Sequence, residues 1–112
     1  MTNLQGGCLC GKVRYTVSAD PVFSGVCHCT SCQKGTGSAF SVVLAVPSTG
    51  VAVTGAVSTY TGKGDSGKDV TKRFCPNCGS PISVEAALMP DVTMIEVGTL
   101  DTPSAAKPTM HI

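Results

Sequence analysis

Apolar and polar residues alternate in several short segments of the chain, a pattern typical of half-buried β-strands. In residues 12–17, KVRYTV, the side chains of Val13, Tyr15 and Val17 share one face, and polar side chains share the other. Further segments are short, largely rich in β-branched residues and bounded by glycine, proline or aspartate: residues 39–46, 51–57, 81–88 and 92–100. The pattern predicts an all-β fold of short antiparallel strands.

Two glycine-containing segments interrupt this pattern. Residues 30–38, TSCQKGTGS, can form a helical turn or two before the glycines end it. Residues 62–68, GKGDSGK, match the glycine and lysine positions of a phosphate-binding loop. Such a loop requires Ser or Thr next and then a helix, whereas Asp69 follows here and VTKRFCPNC does not favour a helix. We therefore predict a polar loop between strands, and no nucleotide site.

Length and composition predict one domain, residues 1–112, with a core of small side chains. The chain has 112 residues, which is enough for one ordinary domain and too few for two. Aromatic residues make up only 4% and tryptophan is absent, so Val, Ala and Leu must supply the core. A core of this kind benefits from crosslinks, and the seven cysteines are the obvious source.

The distribution of charge and hydropathy argues against nucleic acid and membrane as partners. The net charge is +1, and the chain lacks the clustered basic residues and stacking aromatics of a nucleic-acid surface. No apolar run approaches the roughly 18 residues of a membrane span. The start, MTNLQGG, lacks the charged and apolar regions of a secretory signal. We therefore expect a cytoplasmic protein, and the oligomeric state stays open.

The seven cysteines fall into three clusters along the chain. Cytosolic thiols stay reduced and an odd count suits disulfides poorly, so metal binding is favoured over disulfide pairing. CPNCG at residues 75–79 has the form of a zinc knuckle, because Pro76 presets the turn and Gly79 lets backbone amides face the thiolates. CLCG at residues 8–11 ends in the same Cys-Gly pair. Together they predict a closed structural zinc site formed by Cys8, Cys10, Cys75 and Cys78.

The remaining cysteines, Cys27, Cys29 and Cys32, belong to CHCTSCQK, which has no closing glycine. Structural zinc sites have four protein ligands, whereas catalytic sites leave one position open, so three cysteines predict a catalytic zinc. Three alternatives stay open for this cluster: His28, His111 or an acidic residue supplies the fourth ligand, an iron–sulfur cluster binds instead, or disulfides form. His28 lies between two ligands, so in an extended backbone its side chain points to the opposite face.

A zinc ion held by three thiolates favours a sulfur as its fourth ligand. The centre carries a formal charge of about −1, which makes it a weak acidifier of water compared with a three-histidine site. A small thiol bound there is held as thiolate, the nucleophilic form. The implied chemistry is activation of a thiol toward an electrophile such as an aldehyde. Gln33 and Lys34 are candidate contacts for a carboxylate of the thiol, and solvent-facing ends of a short helical turn explain them equally well. Arg73 is a candidate anion contact, but ordinary surface exposure is favoured for it.

Four segments resemble, in order and spacing, the glutathione-dependent formaldehyde-activating enzyme family: GGCLCGKVRY, CHCTSCQKGTGSAF, RFCPNCGSPI and VGTLDTPSAAKPTMHI. The resemblance covers Gly6 to Ile112. It implies a zinc-bearing all-β fold, sometimes called a β-tent, with two zinc ions per chain. It also implies the same division of ligands: Cys8, Cys10, Cys75 and Cys78 for a structural zinc, and Cys27, Cys29 and Cys32 for a catalytic zinc.

The implied reaction joins glutathione and formaldehyde to give S-hydroxymethylglutathione, and in reverse it is classed as a carbon–sulfur lyase reaction. The expected partners are therefore a small thiol and an aldehyde. Two other functions fit the same cysteines: a non-catalytic zinc scaffold that serves a protein partner, and a carrier that sequesters a thiol or formaldehyde without turnover. An open coordination position separates the enzyme from the scaffold, and a rate above the spontaneous reaction separates it from the carrier.

Overall fold

A computed structural model describes residues 3–64 and 66–111, which form β-strands and one short α-helix. In chain order the strands are β1 (Leu4–Gly7), β2 (Arg14–Val17), β3 (Phe23–Cys27), β4 (Ser41–Pro47), β5 (Val51–Thr54), β6 (Ser58–Lys63), β7 (Asp69–Phe74), β8 (Pro81–Ala86), β9 (Val92–Glu96) and β10 (Met110–His111). The helix α1 (Thr30–Thr36) connects β3 to β4. No helix in the described ranges is long and apolar enough to cross a membrane.

The strands form two sheets, and the predicted all-β fold is confirmed. One sheet has three strands in the order β1-β2-β5, and the other has seven in the order β10-β3-β4-β9-β8-β7-β6. Their pairings are antiparallel as predicted, with one exception: β10 runs parallel to β3. The exception arises because the last residues of the chain return to the free edge of β3 after a long connection.

Several predicted strands are shorter than the hydrophobic pattern suggested. The predicted strand 92–100 ends at Glu96, where a 3₁₀ turn, Val97–Thr99, begins. The Thr99 hydroxyl donates a 2.7 Å hydrogen bond to the Glu96 carbonyl, and such local bonds compete with a ladder. The predicted strand 51–57 ends at Thr54, because Gly55 adopts a φ of 94° that extended backbone does not allow.

The glycine-rich segment 62–68 connects two strands, as predicted. β6 ends at Lys63, and the backbone N–H of Gly64 donates to the Lys68 carbonyl at 2.9 Å, which closes the turn before β7. Asp65 lies outside the described residues. The segment that follows is a strand, so the helix that a phosphate-binding loop requires is absent here.

The hydrophobic core joins the two sheets. Val13, Tyr15 and Val17, predicted to share one face, are all buried and pack together with side chains from β4, β8 and β9: Leu44, Val46, Ile82 and Ile95. Cys8 and Cys75 belong to the same buried cluster. The core is therefore aliphatic, as composition predicts, and it packs directly against two of the cysteines.

The opposite face of the seven-stranded sheet borders a cavity. Side chains alternate between the faces of a strand, so Val43 on β4 and Met94 on β9 point away from the core residues beside them. The helix α1 lies at one end of this face. Its N-cap is Cys29, whose sulfur accepts from the Cys32 amide, and its C-cap is Gly37, which adopts the left-handed conformation with φ 68°. The helix predicted within residues 30–38 is therefore confirmed.

Candidate metal centres

The first group of cysteines brings together two distant parts of the chain. The sulfur atoms of Cys8, Cys10, Cys75 and Cys78 all lie within 4.8 Å of one another. The Cys10 sulfur is 3.5 Å from that of Cys8 and 3.7 Å from that of Cys75, although 65 residues separate Cys10 from Cys75. A tetrahedral zinc with four bonds of about 2.3 Å places its sulfurs roughly 3.8 Å apart. These four cysteines therefore fit a closed zinc site.

Backbone amides point at the sulfurs of this group. The Val13 N–H donates to the Cys8 sulfur at 3.3 Å, and the N–H groups of Asn77 and Cys78 donate to the Cys75 sulfur at 3.4 and 3.5 Å. Burial acts to raise the pKa of the Cys8 thiol, but the Val13 amide and neighbouring thiols outweigh it, so that pKa lies below its usual value. Such bonds favour the thiolate, which is the form that binds metal.

Ser80 directly follows the knuckle at residues 75–79 and hydrogen-bonds to its second cysteine. Its hydroxyl lies 3.2 Å from the Cys78 sulfur, and this hydrogen bond, with one from its backbone amide, lowers the pKa of Cys78 to about 5. The turn depends on Gly79, which has a φ of 78° and donates its N–H to the Cys75 carbonyl at 2.8 Å. Gly11 plays the same part after Cys10, with a φ of 82°. The two Cys-Gly endings seen in the sequence are therefore left-handed turns.

The second group lies where β3 passes into α1. Cys27 ends the strand, Cys29 caps the helix and Cys32 lies within it. Their sulfurs lie within 4.8 Å of one another, at 3.4 Å between Cys27 and Cys29 and 2.8 Å between Cys27 and Cys32. A tetrahedral zinc requires the closer pair to separate by roughly 1 Å. The structure therefore groups the cysteines as four and three, while metal binding itself stays a prediction.

Protons are shared unequally within the second group. Burial raises the pKa of Cys32, and the hydrogen bonds that link its thiol to Cys27 and Cys29 raise it further. Burial acts in the same direction on Cys29, but hydrogen bonds from the Cys32 thiol and amide outweigh it and lower the pKa of Cys29. The Cys32 thiol thus stabilises Cys29 as a thiolate, the form that binds metal.

Neither histidine joins the three cysteines. His28 and His111 pair with each other instead: Nε2 of His28 lies 2.9 Å from Nδ1 of His111, and the rings stack with centroids 5.1 Å apart. The His28 ring also contacts Phe40. Within residues 3–64 and 66–111, no histidine or acidic side chain lies within 4.8 Å of all three sulfurs. The fourth position of a metal bound there is therefore not filled by a described residue.

The second group opens onto a cavity of about 340 Å³ on the face of the seven-stranded sheet opposite the core. Its apolar wall comes from β4, β7, β8 and β9: Val43, Val70, Phe74, Val84 and Met94. Small-molecule sites are typically clefts of this size, with apolar walls and a few polar groups that fix orientation. The three cysteines therefore border a cavity with the size and apolar wall typical of small-molecule sites.

Two lysines that sequence reasoning missed also line the cavity. The Lys72 ammonium donates to the Ser31 carbonyl at 2.7 Å, which links β7 to α1. Lys63, on β6, pairs with Asp69 at 2.5 Å. Both strands were absent from the sequence prediction, so no local pattern indicated which lysines would meet at the cavity.

The three residues suggested as anion contacts are placed differently. Arg73 lines the cavity, but its Nε donates to Glu85 at 2.5 Å. Gln33 and Lys34 are exposed on α1 and are absent from the cavity wall, and the Gln33 amide donates to the Ala39 carbonyl at 3.1 Å. Positive charge at the cavity therefore comes from β6 and β7 rather than from the helix.

A buried carboxyl group is the second feature that sequence reasoning missed. Glu96, on β9, lines the cavity with only 8% of its surface exposed. The Ser41 hydroxyl donates to its Oε1 at 2.8 Å, and burial raises the pKa of Glu96 above its usual value. The sequence contains one available signal: Glu96 follows Val92 and Met94 at alternate positions of an otherwise apolar strand face.

Comparison with known proteins identifies the family. The family profile described as "Glutathione-dependent formaldehyde-activating enzyme" matches residues 3–112. The chain belongs to this family. A curated protein of Emericella nidulans, provisionally named a glutathione-dependent formaldehyde-activating enzyme, is 33% identical over 82 residues, which cover 69% of this chain. That match spans only 41% of the Emericella protein.

Solved structures place this member of the formaldehyde-activating enzyme family in a known fold. A Rhodobacter sphaeroides protein of known crystal structure superposes with a TM-score of 0.76 at 19% sequence identity. The superposition covers 97% of this chain and 100% of the Rhodobacter chain. At this identity the similarity establishes the fold and carries no information on the reaction.

Proposed function

We propose that residues 1–112 form a single-domain, zinc-dependent enzyme that promotes the addition of a small thiol, such as glutathione, to an aldehyde, such as formaldehyde. The reverse reaction is that of a carbon–sulfur lyase. One observation carries the proposal: three cysteine sulfurs lie together without a fourth described ligand and open onto a cavity of about 340 Å³. Membership of the formaldehyde-activating enzyme family supports the choice of thiol and aldehyde.

The two cysteine groups have different parts in this proposal. Cys8, Cys10, Cys75 and Cys78 hold a structural zinc, whereas Cys27, Cys29 and Cys32 hold a catalytic zinc. Zinc bound at the three cysteines would supply a site that holds the substrate sulfur as thiolate. The chain itself supplies the apolar walls and the cation of Lys72, which suits a thiol that carries carboxylates, while Lys63 is paired with Asp69.

Metal content gives a direct test of the two-site assignment. We expect protein purified under reducing conditions to contain close to two zinc ions per chain, because the sulfurs form two groups of metal-binding geometry. Three ligands hold a metal less tightly than four, so elemental analysis should be repeated after zinc is added and excess is removed. A value that stays at one, or the presence of iron with visible colour, would contradict the assignment.

Turnover is tested by exchange NMR with glutathione and formaldehyde. We expect interconversion of the free compounds and the S-hydroxymethyl adduct to be faster with the protein than without it at equal concentrations. The spontaneous reaction is appreciable, so the sample without protein is the essential control. Rates equal to background with several different thiols would reject the enzyme. Stoichiometric binding without turnover would then favour a carrier, and no binding would favour a scaffold.

A further inference from the structure

The cavity wall contains few groups able to accept a proton near neutral pH. Apart from the three cysteines, the titratable side chains that line it are Tyr60, Lys63, Lys72, Arg73 and Glu96. Tyrosine, lysine and arginine ordinarily hold their protons until about pH 10 or above. Histidine is absent from the described lining. Glu96 is therefore the described lining residue best suited to proton exchange at neutral pH.

The order of strands in the seven-stranded sheet places Glu96 on the same face as Cys27. Cys27 on β3 pairs directly with Ser41 on β4, and Ser41 donates its hydroxyl proton to Glu96 on β9. All three side chains line the same cavity. Glu96 pairs with Val43, two residues along β4 from Ser41, so two strand spacings of about 4.8 Å and two residue rises of about 3.4 Å separate the backbones of Cys27 and Glu96 by roughly 12 Å. Both side chains line the cavity on the same face of the sheet, where a small substrate can lie between them.

One oxygen of the Glu96 carboxyl is held and the other is open. Oε1 accepts from the Ser41 hydroxyl at 2.8 Å. Oε2 has no hydrogen-bond partner among the described residues. Every fully buried side-chain nitrogen or oxygen in those residues does have a partner, so Oε2 is not fully buried and keeps some accessible surface. Glu96 and Ser41 also border a second, more open cavity beside Phe40 and Gly98. Glu96 therefore borders both cavities.

We propose that Glu96, oriented by the Ser41 hydroxyl, takes the proton of the incoming thiol and returns it to the aldehyde oxygen. This inference rests on the proposed thiol–aldehyde addition. The thiol S–H bond breaks and its proton moves to the Glu96 carboxylate, which leaves a thiolate at the three cysteines. The sulfur then bonds to the carbonyl carbon, the π pair moves to oxygen, and that oxygen takes the proton from Glu96. The carboxylate is regenerated, and thiol plus aldehyde has become the S-hydroxymethyl product.

The environment of Glu96 suits this exchange. Burial raises the pKa of the carboxyl, whereas the Ser41 hydrogen bond and the charge of Lys72 act to lower it. An acid–base group works best when its pKa lies near the operating pH, and transfer by a positioned side chain contributes roughly 10²–10⁴-fold to a rate. The reverse reaction uses the same group, because the carboxylate then takes the hydroxyl proton of the adduct.

Glu96→Gln tests the proposal, since the amide oxygen can still accept from Ser41 while the proton exchange is lost. We expect the zinc content and melting temperature to be unchanged and the exchange rate to fall by roughly 10²–10⁴-fold. Asp91→Asn is the matched control, because it removes the same charge at an exposed residue. Asp91 directly precedes the same strand and lies outside the cavity wall. We expect it to match the wild type.

A second measurement does not depend on turnover. Titration calorimetry of glutathione binding in buffers of different ionisation enthalpy counts the protons released. We expect Glu96→Gln to release about one proton more per thiol than the wild type at neutral pH, because the internal acceptor is gone.

A slower Glu96→Gln variant with unchanged proton release would overturn proton transfer in favour of a positioning role. If the wild type shows no catalysis but Glu96→Gln still releases one proton more than the wild type, the proposed enzyme is rejected and Glu96 remains the proton acceptor. Wild-type behaviour of Glu96→Gln in both measurements, or equal effects in Asp91→Asn, would overturn the inference.

Discussion

Replacement of Cys78 by serine is expected to prevent stable folding. The four-cysteine group joins residues that lie 65 positions apart, and a crosslink across such a loop stabilises a chain by roughly 4 kcal/mol in the chain-entropy treatment used for disulfides. Metal binding to a structural site adds to folding free energy directly. Small domains have total stabilities of only about 5–15 kcal/mol. Loss of one of the four ligands therefore removes a large part of the free energy of unfolding.

The effect is measured by thermal melts and zinc content of the purified variant. Asn77→Ser is the matched control, because it changes a neighbouring exposed side chain in the same turn and keeps the amide that donates to the Cys75 sulfur. We expect the control to melt within about 2 °C to 4 °C of the wild type, since exposed substitutions rarely change stability by more than about 0.5 kcal/mol. A Cys78→Ser protein that binds two zinc ions and melts normally would contradict the structural assignment.

Replacement of Cys29 by serine is expected to reduce the reaction to its spontaneous rate while the chain stays folded. Cys27 and Cys32 lie only five positions apart in the sequence. A metal bound between them closes a short loop, so this group stabilises the chain far less than the first group. The Cys29 side chain also caps α1 by accepting from the Cys32 amide at 3.3 Å. Serine is a preferred residue at an N-cap, so the helix keeps its cap while the metal loses a ligand.

The measurements are zinc content, glutathione binding, exchange rate and melting temperature. We expect one zinc ion per chain, no detectable thiol binding and a melting temperature close to that of the wild type. Thr30→Ala, an exposed change in the first turn of α1, is the control that leaves all three thiols in place. If Cys29→Ser unfolds the chain and Cys78→Ser does not, the structural and catalytic assignments must be exchanged.

Local patterns were sufficient to predict part of this fold. The alternation in residues 12–17 led to β2 and to its buried Tyr15, because one face of that strand packs entirely into the core. The cysteine groups were predictable for a different reason. Ligand spacing is local, and Gly11 and Gly79 mark the left-handed turns that distinguish the first group from the second.

Other parts of the fold depend on partners distant in the sequence. β3 contains Ser24 and Gly25, which are poor strand signals alone, but β4 and β10 flank it on both sides. β7 has few buried side chains because one of its faces lines the cavity. The proximity of Glu96, Lys72 and Cys27 follows from the order of strands in the seven-stranded sheet. A one-dimensional pattern does not contain that order, so these residues could not be grouped from the sequence.

The knuckle at residues 75–79 serves two sites at once. Its cysteines belong to the four-cysteine group, while Gly79 and the flanking residues Phe74 and Pro81 form part of the cavity wall. A change that displaces this turn is therefore expected to alter the cavity wall as well as the four-cysteine group. Cys78→Ser, which acts on the first group, is consequently expected to weaken thiol binding beside the second group in any fraction of the chains that stays folded.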